Sequence, residues 1–202
     1  KDNVLIVTHD KEYNNLIIEE TNYKELAKTT LFNGEKLPTL KEYLLAGMQN
    51  NVATGLVLEI KPRATKEKNN IIVDKILALV DELKAENYIH SYISFSLDIL
   101  KRIAEKKPSA KTQYLDGSKS PESLKKSGIT GLDYIIYKLK NKEQFIKEAK
   151  KIGITLNAWT ANSIDNIDWL LANNFDYITT NEPELVFQRI KKSPIKKGYS
   201  LV

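Results

Sequence analysis

The chain has 202 residues, with 31 Lys and Arg against 26 Asp and Glu for a net charge of +5, and it is 42% apolar and 28% charged. That composition excludes a disordered or fibrous chain, and no run approaches the roughly 18 apolar residues of a membrane helix. The absence of cysteine excludes a disulfide framework, thiolate chemistry and a zinc–cysteine site.

Taken in order, residues 3–8 (Asn-Val-Leu-Ile-Val-Thr) form a predicted strand that ends in His9-Asp10. Residues 11–38 are polar and loop-like, with one short helical turn at 23–28. Thr39-Leu40-Lys41-Glu42 is a capping box, and Leu40, Tyr43, Leu44 and Met48 follow at helical spacing. Gly55-Leu56-Val57-Leu58-Glu59-Ile60-Lys61 reads as a buried strand. Alternation places Val57, Glu59 and Lys61 on one face and Leu56, Leu58 and Ile60 on the other. A helix at about 69–87 follows, with Ile72, Ile76, Leu79, Val80 and Leu83 as its apolar stripe.

From there strands and helices alternate. A strand at 91–95 precedes a helix at 97–106, and one at 111–115 precedes a helix with Ser120 as cap and Pro121 at its first position. A strand at 133–137 leads to a helix opened by Asn141 and closed by Gly153. One at 154–159 leads to a helix capped by Ser163, and one at 175–179 to a last helix near Asn181. The alternation predicts a parallel sheet with helices outside, in six βα units counted from the Glu59 strand. No Gly-x-Gly-x-x-Gly opens a helix, which argues against a dinucleotide-binding sheet. The remaining common architecture is a (β/α)8 barrel of about 250 residues. The chain is two units short of that and opens at Lys1-Asp2-Asn3 without a methionine. The expectation is one barrel domain over 1–190, its first two βα units absent from the sequence, and a basic tail over 191–202. A barrel open in that way exposes two strand edges, and self-association is expected from them.

Reactive groups of such a barrel sit at the C-terminal ends of its strands. His9 follows the first strand, and Asp10 is placed to orient its ring. Glu59 and Lys61 end the next strand, as either a self-satisfying ion pair or a carboxylate held at the barrel mouth to bind a metal or move a proton. Ser94, Phe95, Tyr114, Asn157, Trp159, Asn162, Thr179 and Thr180 close later strands and are expected on the same end. For Phe95, Tyr114 and Trp159 the choices are a pocket wall or ordinary core. His90 precedes a strand, at the opposite end, and receives no role. The lysines are scattered over loops and helix ends without interleaved aromatics, so they read as a solvated surface and no nucleic-acid partner is assigned.

Six ordered motifs carry a resemblance: Val7-Thr8-His9-Asp10, Leu37-Pro38-Thr39-Leu40-Lys41-Glu42, Leu58-Glu59-Ile60-Lys61, Ile93-Ser94-Phe95-Ser96, Asn157-Ala158-Trp159-Thr160-Ala161-Asn162 and Tyr177-Ile178-Thr179-Thr180-Asn181-Glu182-Pro183. Together they resemble the glycerophosphodiester phosphodiesterase family over residues 1 to about 188. The resemblance implies an irregular (β/α)8 barrel and hydrolysis of glycerophosphodiesters to an alcohol and glycerol 3-phosphate with a divalent cation, Ca²⁺ or Mg²⁺. By resemblance His9 matches the second of two catalytic histidines, Glu59 a metal-binding carboxylate, Lys61 a lysine facing the phosphate, and Trp159 an aromatic of the glycerol pocket. Tyr114 and Phe95 are the further substrate-binding candidates. The family's first strand ends in His-Arg-Gly and its second carries Glu-x-Asp; neither occurs here, and Asn181 stands where the family more often has aspartate. A non-catalytic barrel that binds or scaffolds, and a related phosphodiesterase acting on a phospholipid, are the alternatives. The family has both cytoplasmic and exported members.

Overall fold

The computed structural model describes residues 1–192, and most of the basic tail expected over 191–202 lies outside the described residues. The chain divides into two compact units, one of Lys1–Val52 with Ile76–Tyr88, the other of Ala53–Lys75 and the residues from Ile89 onward.

In the first unit the strand expected over residues 3–8 is reduced to one antiparallel bridge, Ile6 to Thr39. Val7 N donates to Pro38 O at 3.0 Å and Leu40 N to Leu5 O at 2.8 Å. The ladder stops there because Pro38 has no N–H and Thr39 already turns into a helix. The polar stretch after it contains a small hairpin that the sequence reading missed, β1 (Glu12–Tyr13) against β2 (Leu16–Ile17). Its turn residues Asn14 and Asn15 have φ 48° and 62°. Two successive positive φ values make the turn that matches strand twist, and Asn tolerates them, so the Asn-Asn pair was the readable signal. The expected helical turn is α1 (Tyr23–Leu26), which buries Leu26.

Helix α2 (Leu40–Met48) begins where its capping box places it. Glu42 N donates to Thr39 Oγ1 at 3.2 Å and Thr39 N to Glu42 Oε2 at 2.9 Å. The hydrogen bond from Lys36, then those from Thr39, hold the Glu42 carboxyl down at about 2. Leu40 and Leu44 are buried, whereas Tyr43, expected in the apolar stripe, is exposed. Thr39→Ala removes the acceptor for Glu42 N, and the substitution is expected to cost about 1 kcal/mol, read as a lower denaturation midpoint with an unchanged m-value.

The second unit is built on five parallel strands in chain order. They are β3 (Leu56–Glu59), β4 (Ile89–Ser94), β5 (Thr112–Tyr114), β6 (Gly131–Ile135) and β7 (Thr155–Trp159). After β3 comes α3 (Lys66–Glu82), whose residues from Ile76 onward belong to the first unit and which ends earlier than expected. Ala85 N reaches back to Val80 O at 2.9 Å while Lys84 takes φ +54°. That is the closure usually built on glycine, and a lysine there gives the sequence no stop signal. Of the expected stripe of α3, Ile76 and Val80 are buried, but Val73 and Leu77 complete it, while Ile72, Leu79 and Leu83 are only half-buried.

Three further helices start at their predicted caps or positions: α4 (Leu97–Lys106), α5 (Pro121–Lys126) behind Ser120, and later α8 (Ile164–Ala172) behind Ser163. Between β6 and β7 the chain departs from expectation. The strand begins and ends two residues early and passes at once into α6 (Ile136–Lys140). Asn141 does not cap the next helix; its Nδ2 donates back to Tyr137 O at 3.0 Å, closing α6. Helix α7 (Glu143–Ile152) starts behind Lys142 without a side-chain cap and ends, as expected, at Gly153 with φ +74°.

The strand expected at 175–179 is absent from the ladder. Asp176 and Tyr177 both donate through their N–H groups to Leu156 O, at 3.0 and 3.1 Å, and Thr179 N donates to Ala158 O at 3.0 Å. The Asp176 carboxylate takes the N–H of Leu156 at 2.9 Å. A side chain thus occupies a rung that backbone would otherwise fill, and the run lies along β7 without forming a strand. Helix α9 (Pro183–Lys192) follows, tied to α8 by the paired Arg189 and Asp168, with Nη2 to Oδ2 at 2.6 Å. No helix among the described residues is long and apolar enough to cross a membrane.

Candidate active site

Register and alternation place the site on one face of the sheet. Glu59 pairs with Ile93, Ile93 with Gln113 and Gln113 with Gly131; Asp133 pairs with Asn157 and Ile135 with Trp159. Residues paired across a sheet, and those two apart on a strand, share a face. Glu59, Gln113, Asp133, Asn157 and Trp159 are therefore on one side. Leu58, Tyr92, Tyr114, Leu132, Tyr134 and Leu156 are on the other, all buried.

At the end of β3, Lys61 Nζ lies 2.8 Å from Glu59 Oε1, with both side chains about one-third exposed. The same Oε1 is buried and accepts no hydrogen bond. The contact is thus an ion pair in which the carboxylate oxygen keeps its acceptor capacity. The strand end is held by Ile60 N donating to Ile93 O at 2.9 Å and by Ser94 Oγ donating to Ile60 O at 2.7 Å. Ser94, fully buried, serves the backbone there.

Deeper on the face, Asn157 Nδ2 donates to Gln113 Oε1 at 3.2 Å, and Thr179 Oγ1 donates to Asn157 Oδ1 at 3.2 Å. Gly131 makes room for this layer: a Cβ there would lie 2.9 Å from Gln113 Cγ and 3.1 Å from Thr155 Cβ. Above Gly131 stands Asp133, 2% exposed, whose Oδ1 is buried and has no hydrogen-bond partner. Burial, and then the charge of Glu59, push its carboxyl up to about 7. The sequence reading missed Asp133; the available signal was an acid in the middle of the run Gly131-Leu132-Asp133-Tyr134-Ile135.

Phe95 and Trp159, from the ends of β4 and β7, meet edge to face with centroids 5.9 Å apart and planes at 81°. Trp159 Nε1 donates to the main-chain O of Asp133 at 2.9 Å. Beside Trp159 an open cleft of about 480 Å³ is lined by Ile135, Tyr137, Lys140, Thr160 and Asn166. The structure thus brings Phe95 together with Trp159, and Glu59 together with Lys61. Tyr114 is not brought to them. It is 6% exposed on the opposite face, with its ring against Tyr134 at 6.2 Å and its hydroxyl 3.4 Å from Ser118 Oγ. Burial raises its pKa.

His9 belongs to the first unit. Its side chain is exposed, and Nδ1 lies 2.8 Å from Asp10 Oδ1, the orientation anticipated for that pair. With Nδ1 engaged, Nε2 is the nitrogen left for proton exchange. His90 is half-buried, packs its ring 4.9 Å from Tyr177 and is held below its usual pKa by burial and then by Lys111.

For a cation the local donor set is oxygen. Among the described residues no cluster of three or more His, Cys, Asp or Glu encloses a metal position. The Glu59 carboxylate, paired to Lys61 without hydrogen-bond geometry, nevertheless suits a hard divalent ion, which prefers carboxylate and water.

Residues 1–185 match the Glycerophosphoryl diester phosphodiesterase family. The chain is similar to a glycerophosphodiester phosphodiesterase from Parabacteroides distasonis ATCC 8503: 34% identity over 95% of this chain and 79% of that one, with a TM-score of 0.90. A phosphodiesterase from Oleispira antarctica, solved with the product sn-glycerol-3-phosphate, shares the fold at 18% identity over 92% of this chain and 79% of that one, TM-score 0.72. A glycerophosphodiester phosphodiesterase from Thermotoga maritima does so at 22% identity over 92% and 79%, TM-score 0.66. No curated protein sequence matches the chain.

Proposed function

The chain belongs to the glycerophosphoryl diester phosphodiesterase family, and from that premise we propose that it hydrolyses glycerophosphodiesters to an alcohol and glycerol 3-phosphate with the help of a divalent cation. The observation that carries the reading is the Glu59–Lys61 pair at the C-terminal end of a parallel strand, on the face that also carries the Trp159 wall. We read the five parallel strands as part of a (β/α)8 barrel, in which that end is the reactive one.

Glu59 is the residue that would hold the cation, Ca²⁺ or Mg²⁺, through its carboxylate, whose Oε1 meets only Lys61 in the free protein. When bound, the cation supplies positive charge against the phosphoryl oxygens of the transition state. Lys61 is the counter-charge of Glu59 in the free protein and is within reach to bind a phosphate oxygen of the substrate, where it would stabilise the same developing charge. Phe95 and Trp159 form an apolar corner against which the carbon skeleton of the glycerol moiety is held and water excluded. His9, by its motif and by its Asp10 partner, is assigned to transfer a proton through Nε2.

Purified protein incubated with glycerophosphocholine or glycerophosphoethanolamine is expected to release glycerol 3-phosphate. EDTA should lower the rate at least about tenfold, and added Ca²⁺ or Mg²⁺ should restore it. A rate indifferent to the chelator would remove the cation from the reading. Absence of glycerol 3-phosphate with the cation present would remove the activity itself.

A further inference from the structure

We propose that Asp133 is a second carboxylate of the Glu59 cation site, facing the ion directly or through one bound water. The inference rests on the reading of Glu59 as the cation ligand and extends the site across the sheet, from β3 to β6. The ligand class is a hard divalent cation with oxygen coordination.

Three observations carry it. First, Asp133 is 2% exposed, and its Oδ1 is buried with no hydrogen-bond partner. A carboxylate so placed has a large desolvation cost and nothing around Oδ1 to offset it, which is seldom retained for stability. Second, its cross-strand partner Asn157 is otherwise engaged. The Asn157 amide donates to Gln113 Oε1, and Asn157 Oδ1 accepts from Thr179 Oγ1 and from Ala158 N. Third, Glu59 lies on the same face, and its buried Oε1 is met by the Lys61 ammonium alone, at 2.8 Å. The two carboxylates on this face carry one more negative charge than the Lys61 ammonium offsets, and a divalent cation between them would supply the balance. Lys61 does not provide this, because its ammonium is paired to Glu59.

The bond from Trp159 Nε1 to the main-chain O of Asp133 is the connection to substrate. It fixes the β6 residue to the aromatic wall of the pocket, so a cation gripped by Asp133 would be placed relative to that wall.

The test is calorimetric titration of EDTA-stripped protein with CaCl2 and with MgCl2, for the parent, Asp133→Asn and Glu59→Gln. Asp133→Asn is expected to bind the cation about 10–100-fold more weakly than the parent, with a parent-like circular dichroism spectrum and a metal-free melting temperature no lower than the parent's. Parent affinity in Asp133→Asn, with Glu59→Gln weakened, would overturn the role of Asp133 and leave that of Glu59 standing. Parent affinity in Glu59→Gln would overturn the underlying reading. Should Asn not be tolerated at this buried position, Asp133→Ala is titrated in its place and decides by the same affinities.

Discussion

Glu59→Gln is expected to lower kcat/KM for glycerophosphocholine by about a hundredfold to a thousandfold at limiting cation, with part of the loss recovered at high cation concentration. The substitution keeps the side chain's shape and removes its charge. In the free protein Glu59 is balanced by Lys61 at 2.8 Å, and its Oε1 has no hydrogen bond to lose. The change should therefore leave the fold intact and act on the charge that the site can set against the phosphoryl group. Loss of one well-aimed electrostatic partner in an enclosed site typically has an effect of that size. A Glu59→Gln enzyme within a few-fold of the parent rate at limiting cation would show that this carboxylate does not hold the ion. The partial exposure of the pair, about one-third, matters here. Lys61 is free enough to turn toward substrate, while Glu59 is held at the strand end by the Ile60 and Ser94 bonds to β3 and β4.

The second large effect is on stability. In metal-free protein, Asp133→Asn is expected to stabilise the fold at pH 8 by up to about 4 kcal/mol and to change little near pH 4. The sign follows from the titration. Burial, with the Glu59 charge adding to it, raises the folded carboxyl from 3.8 to about 7. Between those values the folded chain keeps a proton that the unfolded chain has released, so stability falls as pH rises through the window and the loss is complete above about 7. A rise from 3.8 to about 7 corresponds to about 4 kcal/mol. Asparagine has no proton to hold and does not incur the penalty. Urea denaturation in EDTA at pH 4 and pH 8 checks this, and an equal difference between variant and parent at both pH values would contradict it.

The legible parts of the chain were those governed by local chemistry. Thr39 with Glu42, Ser120 with Pro121, Ser163 and Gly153 marked helix ends correctly, because a cap is local: a side chain bonded to backbone three residues on or, at Gly153, a left-handed backbone that glycine allows. The Leu58-Glu59-Ile60-Lys61 run gave the strand and its two faces, because alternation is a property of the chain itself. Errors came where a distant partner decided the outcome. Residues 3–8 have strand composition, but Pro38 and Thr39 allow a single bridge. Residues 175–179 have it too, but the Asp176 carboxylate occupies the rung on Leu156. Asn141 has the chemistry of an N-cap and instead closes the helix before it.

Residue type and order along the chain were sufficient to suggest the family, and they offered Glu59, Lys61, Phe95 and Trp159 as candidates that the structure brings together in pairs. The sequence alone also determined that the second half is a parallel α/β sheet, because strand and helix periodicities alternate regardless of packing. Only the tertiary structure decided which face of each strand looks toward the site. It placed Tyr114 behind the sheet against Tyr134, brought Phe95 edge-on to Trp159 across the two strands between them, and put Asp133 on the same face as Glu59 without a partner for its Oδ1. The physical reason is that period-two alternation sorts residues into two sets but does not label either. The label comes from register with neighbouring strands, and register is set by hydrogen bonds to residues far away in the chain.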